Sequence, residues 1–195
     1  FVLPERIQRL TSVLEHRTRR ITLLLERVHD AHNVAACART CDAFGLQDLH
    51  IIPPEDKPLR FSKLVSSGAH RWLTVHVHDT LDSALQALRS SGYMLAVTDV
   101  SSEAPCDTPA SLPLDAPLCV AFGNERDGVS QALRAAADMP LHIPMTGFVE
   151  SFNVSVAVAI ACSRLRERID AMPPAAWQLS TSERAALMDT WVIED

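Results

Sequence analysis

Three short segments of the chain carry residue types that packing alone does not require. The first, His29-Asp30-Ala31-His32-Asn33-Val34-Ala35-Ala36-Cys37-Ala38-Arg39-Thr40, sets Asn33 at a helix start and Arg39 almost two turns later, on a helix made otherwise of small residues. Small residues let another group approach closely. Spacing alone also fits Asn33 as a plain cap and Arg39 as a surface charge. The second segment, Phe122-Gly123-Asn124-Glu125-Arg126-Asp127-Gly128-Val129-Ser130, is a glycine-bounded turn between a strand and a helix, where open sheets commonly bind ligands. It lacks both G-x-G-x-x-G and the P-loop lysine, so dinucleotide and nucleoside-triphosphate fingerprints fail, and an ordinary connection stays open. In the third, Ile143-Pro144-Met145-Thr146-Gly147-Phe148-Val149-Glu150-Ser151-Phe152-Asn153-Val154-Ser155-Val156-Ala157, a strand ends at Pro144 and Asn153 opens an apolar helix. Ser151 or Asn153 also suits a helix cap, and the Asn153-Val154-Ser155 glycosylation pattern is read as coincidence.

The elements that must position these segments follow from periodicity. A helix is expected near 4–19, a buried strand at Ile21–Glu26, and a helix from about Asn33 closing at Gly45. Apolar runs at Leu49–Ile52, Leu73–Val77, Met94–Thr98, Leu118–Phe122 and Leu141–Met145 read as further strands. Helices are expected at Thr80–Ser90, with Asp79 or Thr80 as cap, at Ser130–Ala137 and at Asn153–Ile169. Strands alternating with helices describe an α/β domain with a mostly parallel sheet. Residues 101–117, with four prolines, read as a long surface loop, and Pro173-Pro174 ends the last core helix. Ser180-x-x-Glu183 is a capping box for a short terminal helix over 181–190, either a docking element or a frayed tail.

Composition narrows the classes. At 195 residues, 47% hydrophobic and 22% charged, the chain suits one domain with a sizeable core. No stretch approaches the roughly 20 apolar residues of a membrane span. Five cysteines without a C-x-x-C pair argue against a disulfide framework and a zinc site, so a reducing cytoplasm is the expected compartment. The eight histidines, among them His29, His32, His70, His76 and His78, lack matching ligands, and no metal is expected. Residues 1–72 carry 11 basic against 8 acidic side chains and residues 73–195 carry 7 against 16. The acidic total argues against nucleic acid, but Arg17, Arg19 and Arg20, and Arg164, Arg166 and Arg168, form local clusters that keep a phosphate-binding surface open. The plainer reading of both is a solvated helix face.

Taken together and in this order, the segments resemble the three motifs of the TrmH-type SPOUT RNA methyltransferases: N-x-x-A-x-x-R-T, F-G-x-E-x-x-G-V-S and I-P-M-x-G-x-V-x-S-x-N-V-S-V-A. The likeness covers roughly residues 5–169, including Ser66-Ser67-Gly68-Ala69-His70-Arg71-Trp72. It implies a SPOUT α/β fold, its mostly parallel sheet flanked by helices and its C-terminal part threaded into a deep trefoil knot. It also implies a homodimer and S-adenosylmethionine as cofactor. On this basis residues 1–20 are a helical extension, 21–170 the methyltransferase domain and 171–195 a tail. The implied reaction is methyl transfer to a ribose 2′-hydroxyl of RNA. Arg39, Asn33, Glu125, Ser151 and Asn153 match the catalytic positions, while Thr98, Gly123, Ile143, Met145 and Phe152 match positions that cup the cofactor, largely through backbone groups. RNA would be held by Arg17, Arg19, Arg20, Arg166 and Arg168. Two departures concern RNA: the family's basic pair falls out of register, leaving Glu167 and Ile169 at the matching places, and there are only two lysines, Lys57 and Lys63. The N-terminal extension is a single helix instead of a separate RNA-binding domain, which favours tRNA, with guanosine 18 of the D-loop as target. Ribosomal RNA, another tRNA position and a non-catalytic RNA-binding homologue are the alternatives.

Overall fold

In the computed structural model, residues 3–55, 69–98 and 106–193 are described. The chain runs α1 (Pro4–Glu15), β1 (Ile21–Glu26), α2 (Ala31–Ala43), β2 (Asp48–Ile52), β3 (Thr74–Val77), α3 (Leu81–Ser90) and β4 (Met94–Thr98). It continues through β5 (Leu118–Phe122), α4 (Gln131–Ala135), β6 (Met139–Leu141), α5 (Val154–Asp170) and α6 (Thr181–Ile193). One all-parallel sheet holds the strands in the order β3-β2-β1-β5-β4-β6. The strands β1, β2 and β5 are buried at every position, as befits a parallel sheet covered by helices on both faces.

Strand alternation sorts the core. Ile21, Leu23 and Leu25 face α2 and α5, packing with Val34, Cys41, Val158 and Leu165. Leu24, Leu95 and Val97 face the other way, against Leu88 of α3 and Leu133 of α4. A third cluster joins the two ends of the chain, where Leu10 and Leu14 of α1 meet Leu187 and Trp191 of α6.

The α/β class with its parallel sheet stands as expected, while several local readings change. The first helix stops at Glu15 and not near 19, because Thr18 leaves it to bridge Leu46 on one side and Gln178 on the other. The last strand is Met139–Leu141, not Leu141–Met145. Its partner β4 ends at Thr98, level with Leu141, and Pro144 has no N–H to donate. Within 101–117, the described residues are not purely a surface loop, since Leu112 and Leu114 are core residues. The terminal helix is neither short nor frayed: its Ser180–Glu183 capping box is formed in both directions, and the helix runs on to seat Trp191. No described helix is long and apolar enough to cross a membrane. Lys57, Lys63 and Ser66–Gly68 lie outside the described residues.

Candidate active site

Each of the three segments leaves the carboxyl edge of the sheet. Helix α2 is capped not by Asn33 but by Asp30, whose carboxylate accepts from the His32 N–H at 2.8 Å. That frees the Asn33 side chain in the first helical turn. Its Nδ2 donates to Glu125 Oε1 at 2.5 Å, and its Oδ1 accepts from Asn153 Nδ2 at 3.2 Å. Asn153 also caps α5, its Oδ1 accepting from the backbone N–H of Ser155 at 2.9 Å and from the Ser155 hydroxyl at 2.7 Å. Asn153 thus both caps a helix and joins the polar chain, whereas Asn33 is no cap at all. Residues separated by 92 and 120 positions meet in a single polar chain, one from each segment.

The glycine-bounded loop that presents Glu125 is closed on itself. Asn124 and Gly128 exchange backbone hydrogen bonds of 3.0 and 3.1 Å, and Asn124 Oδ1 accepts from the N–H groups of Arg126 and Asp127. Gly123 is required by this closure, because a Cβ there would stand 1.9 Å from the Gly128 carbonyl carbon. Ser130 then caps α4, accepting from the Leu133 N–H at 3.1 Å.

The expected cofactor positions line the same edge. The register pairs Val97 with Ala121 and Thr98 with Leu141, so the ends of β5, β4 and β6 lie side by side, about 5 Å apart from strand to strand. Thr98 turns its hydroxyl to Ala121 O at 3.0 Å, leaving backbone groups for any ligand. Ile143 packs partly on the core, Met145 is half-buried, and Phe152 is partly exposed. Beside them Phe148 is fully exposed, with Val149 and Val156 also in solvent.

Arg39 does not join the polar chain. Six residues beyond Asn33, about 9 Å along the helix axis, it is exposed and makes no hydrogen bond or ion pair among the described residues. Ser151 is likewise exposed without a partner there. Beneath them Cys37 is no nucleophile: burial, aided by the Glu125 carboxylate, pushes its thiol up to about 12. None of the five cysteines forms a disulfide among the described residues, where no group of three or more His, Cys, Asp or Glu could hold a metal ion.

Each of the arginines expected to bind RNA has a partner within the fold. Arg17 is 1% exposed, ion-paired to Asp42, bonded to Leu46 O and stacked over Trp191. A side chain so enclosed presents nothing to a phosphate. Arg19 is divided between Asp48 at 2.8 Å and Glu183 at 2.9 Å. Arg20 and Arg168 both donate to carbonyls of the proline-bearing loop, Arg20 to Leu114 O and Arg168 to Pro109 O and Leu112 O. Arg166 bonds His16 O and Asp170 and lies 4.4 Å over the Trp177 ring. All five hold the fold together. Of these five only Arg166 and Arg168 stand on a helix, and both are engaged, whereas Arg164 beside them on α5 does lie on a solvated face, paired to Glu167.

Two clefts along α1, each lined by Arg17 and Asp42, are separate from the three segments. Sequence reasoning missed Asp30, Glu26 and the Ser155 hydroxyl. The signals were present: an aspartate just before a small-residue run, and a carboxylate ending an otherwise apolar strand.

Comparison with known proteins bears on this arrangement. The model of the SpoU rRNA Methylase family matches residues 20–163, from the start of β1 into α5 and through all three segments. The chain belongs to the SpoU rRNA Methylase family. Among relatives of this SpoU chain, a tRNA (guanosine(18)-2′-O)-methyltransferase of Thermus thermophilus is 37% identical over 155 residues, 80% of this chain and 78% of that one. One of Aquifex aeolicus is 30% identical over 195 residues, covering 100% of this chain and 92% of its own length. A crystal structure described as the Aquifex aeolicus TrmH/SpoU tRNA modifying enzyme superposes with a TM-score of 0.87 at 29% identity, covering 100% of this chain and 98% of the other. The likeness extends past the family model to α1 and α6.

Proposed function

We propose that this chain transfers the methyl group of S-adenosylmethionine to the ribose 2′-hydroxyl of guanosine 18 in the D-loop of tRNA. The observation that carries the reading is the Asn33–Glu125–Asn153 chain, which ties one residue from each motif into a single site. The tRNA branch is supported by the end-to-end likeness to the Aquifex aeolicus proteins, which includes both terminal helices.

The cofactor supplies a sulfonium-activated methyl group. What remains for the protein is to align the nucleophile and favour loss of its proton. Arg39 is the residue for the second task. A guanidinium keeps its proton to above about pH 12, so it acts by stabilising the developing alkoxide and not as a base. Its exposure on α2 and lack of an internal partner suit that role. Asn33, Glu125, Asn153 and Ser151 shape the site around it. Gly123, Thr98, Ile143, Met145 and Phe152 would hold the cofactor, and the fit is good at Gly123 and Thr98, where the side chain is absent or turned inward and backbone is left to face the ligand.

Three features complete the proposal. The segment from β5 to α5 is the trefoil-knotted part; this is supported by the return of the chain from β6 at the sheet edge to α5 packed against α2. A second copy of the chain covers the exposed Phe148, Val149, Phe152 and Val156, giving the homodimer. Residues 21–170 are the methyltransferase domain, 1–20 and 171–195 are extensions whose helices α1 and α6 pack on each other, and the compartment is cytoplasmic, in keeping with five cysteines outside any disulfide.

The test is transfer of labelled methyl from S-adenosylmethionine to unmodified tRNA transcripts with guanosine 18 intact or substituted. Label lost on substitution is the expected result. Label retained overturns the position, and no label on any tRNA overturns the substrate.

A further inference from the structure

The strand that leads into the first motif grips the glycine-bounded loop at a second point, which no expectation included. Glu26 ends β1, and one step beyond the Leu25–Phe122 register brings it level with Gly123, where that loop begins. The chain leaves β1 through Arg27, whose φ of 52° is left-handed, a conformation that β-strand continuation does not use. Glu26 is 2% exposed, an uncommon setting for a carboxylate. Its Oε2 accepts from the Ser130 backbone N–H at 2.7 Å, across 104 residues of chain.

Ser130 is the far end of the same loop. The loop's other bonds, between Asn124 and Gly128 and from Asn124 Oδ1, are internal to it and fix its shape without fixing its place. Two side chains of the β1–α2 segment supply that place: Glu26 at the root and Asn33 at the tip, through Glu125. We infer that Glu26 is a positioning residue, clamping the Gly123–Ser130 loop in the form that receives the cofactor. It touches no reacting atom. The inference rests on the reading that this loop cups S-adenosylmethionine.

The clamp needs an acceptor at residue 26 and an N–H at residue 130. Glu26→Ala removes the first, while Glu26→Gln keeps a carbonyl oxygen able to accept. Ser130→Pro removes the second with little backbone cost, since Ser130 already has φ of −64°, and Ser130→Ala is its control, losing the hydroxyl cap but keeping the N–H. Two readouts are taken on the whole protein: hydrogen exchange across residues 123–130 without cofactor, and KM for S-adenosylmethionine and for tRNA separately. Glu26→Ala and Ser130→Pro are expected to speed exchange in the loop and raise the cofactor KM by about tenfold or more each, the size of one buried hydrogen bond, with the tRNA KM unchanged. Glu26→Gln and Ser130→Ala return most of both. Unchanged exchange in Glu26→Ala and Ser130→Pro overturns the clamp. Faster exchange with a wild-type cofactor KM, or with Gln no better than Ala, overturns the positioning role. A wild-type protein that binds no S-adenosylmethionine refutes the functional reading instead, and the exchange data still decide the clamp.

Discussion

The corner where α1 and α6 meet the sheet and the open face where α2 meets the loops after β5 and β6 are built from the same charged residue types. In the corner the buried or half-buried guanidinium groups that follow α1 are spent on the fold: Arg17 on Asp42 and Trp191, Arg19 on Asp48 and Glu183. On the open face the carboxylate of Glu125 is held by an asparagine, and the guanidinium of Arg39 has no partner among the described residues. Arg17 and Arg19, clustered in the sequence, therefore serve structure, and the proposed chemical role falls to Arg39, isolated among small residues. The physical reason is that a cation needed by a substrate must not be neutralised beforehand, whereas a cation at a closed corner must be.

The comparison can be broken most sharply in the corner. Arg17→Ala opens a void beside Trp191 and strands Asp42, and should cost about 3 kcal/mol in urea denaturation, the low end for a broken buried pair because Asp42 is partly exposed. The folded fraction should still transfer methyl groups. On the open face, Asn33→Asp replaces a donor with a carboxylate against Glu125. Misplacement of the site should lower methyl transfer about 100-fold, with little change in melting temperature. Adding Glu125→Gln restores a donor–acceptor pair and should recover part of the rate.

The smallest effect concerns pH. His50 stacks on His76 and His78 and shares a 2.9 Å hydrogen bond with His78. Burial, then its two histidine neighbours, lowers its pKa to about 4. Because the folded value lies below the unfolded one, the unfolded chain takes up the extra proton. Stability is full above the unfolded value of about 6.5 and falls as pH drops from there toward 4, by at most about 1.4 kcal/mol per pH unit for one proton. Denaturation at pH 7.5, 6 and 5 should trace that slope, and His50→Asn should flatten it.

How much of this was legible depended on where the deciding partner lay. Strands β1, β4 and β5 could be read to the residue, because turn residues such as Pro117 and Gly123 bound the apolar runs. Strand β6 could not, since its end is set by where β4 stops and not by its own Ile143 and Met145. The membership of Asn33, Glu125 and Asn153 in one site was carried by the resemblance alone, for nothing local joins residues so far apart. The internal partners of the arginine clusters were hidden for the same reason: Asp42, Trp191 and the carbonyls of Pro109 and Leu112 are invisible from positions 17 and 168. Glu26 was visible as a charge at the end of a buried strand, but its partner lies 104 residues on.

The most direct test of the central claim is Arg39→Ala, assayed for labelled methyl transfer to guanosine 18 of tRNA, with S-adenosylmethionine affinity and melting temperature measured on the same protein. The account predicts a loss of at least about 100-fold in transfer, the scale of removing one preorganised charge, with affinity and melting temperature unchanged. Wild-type transfer by Arg39→Ala would contradict it.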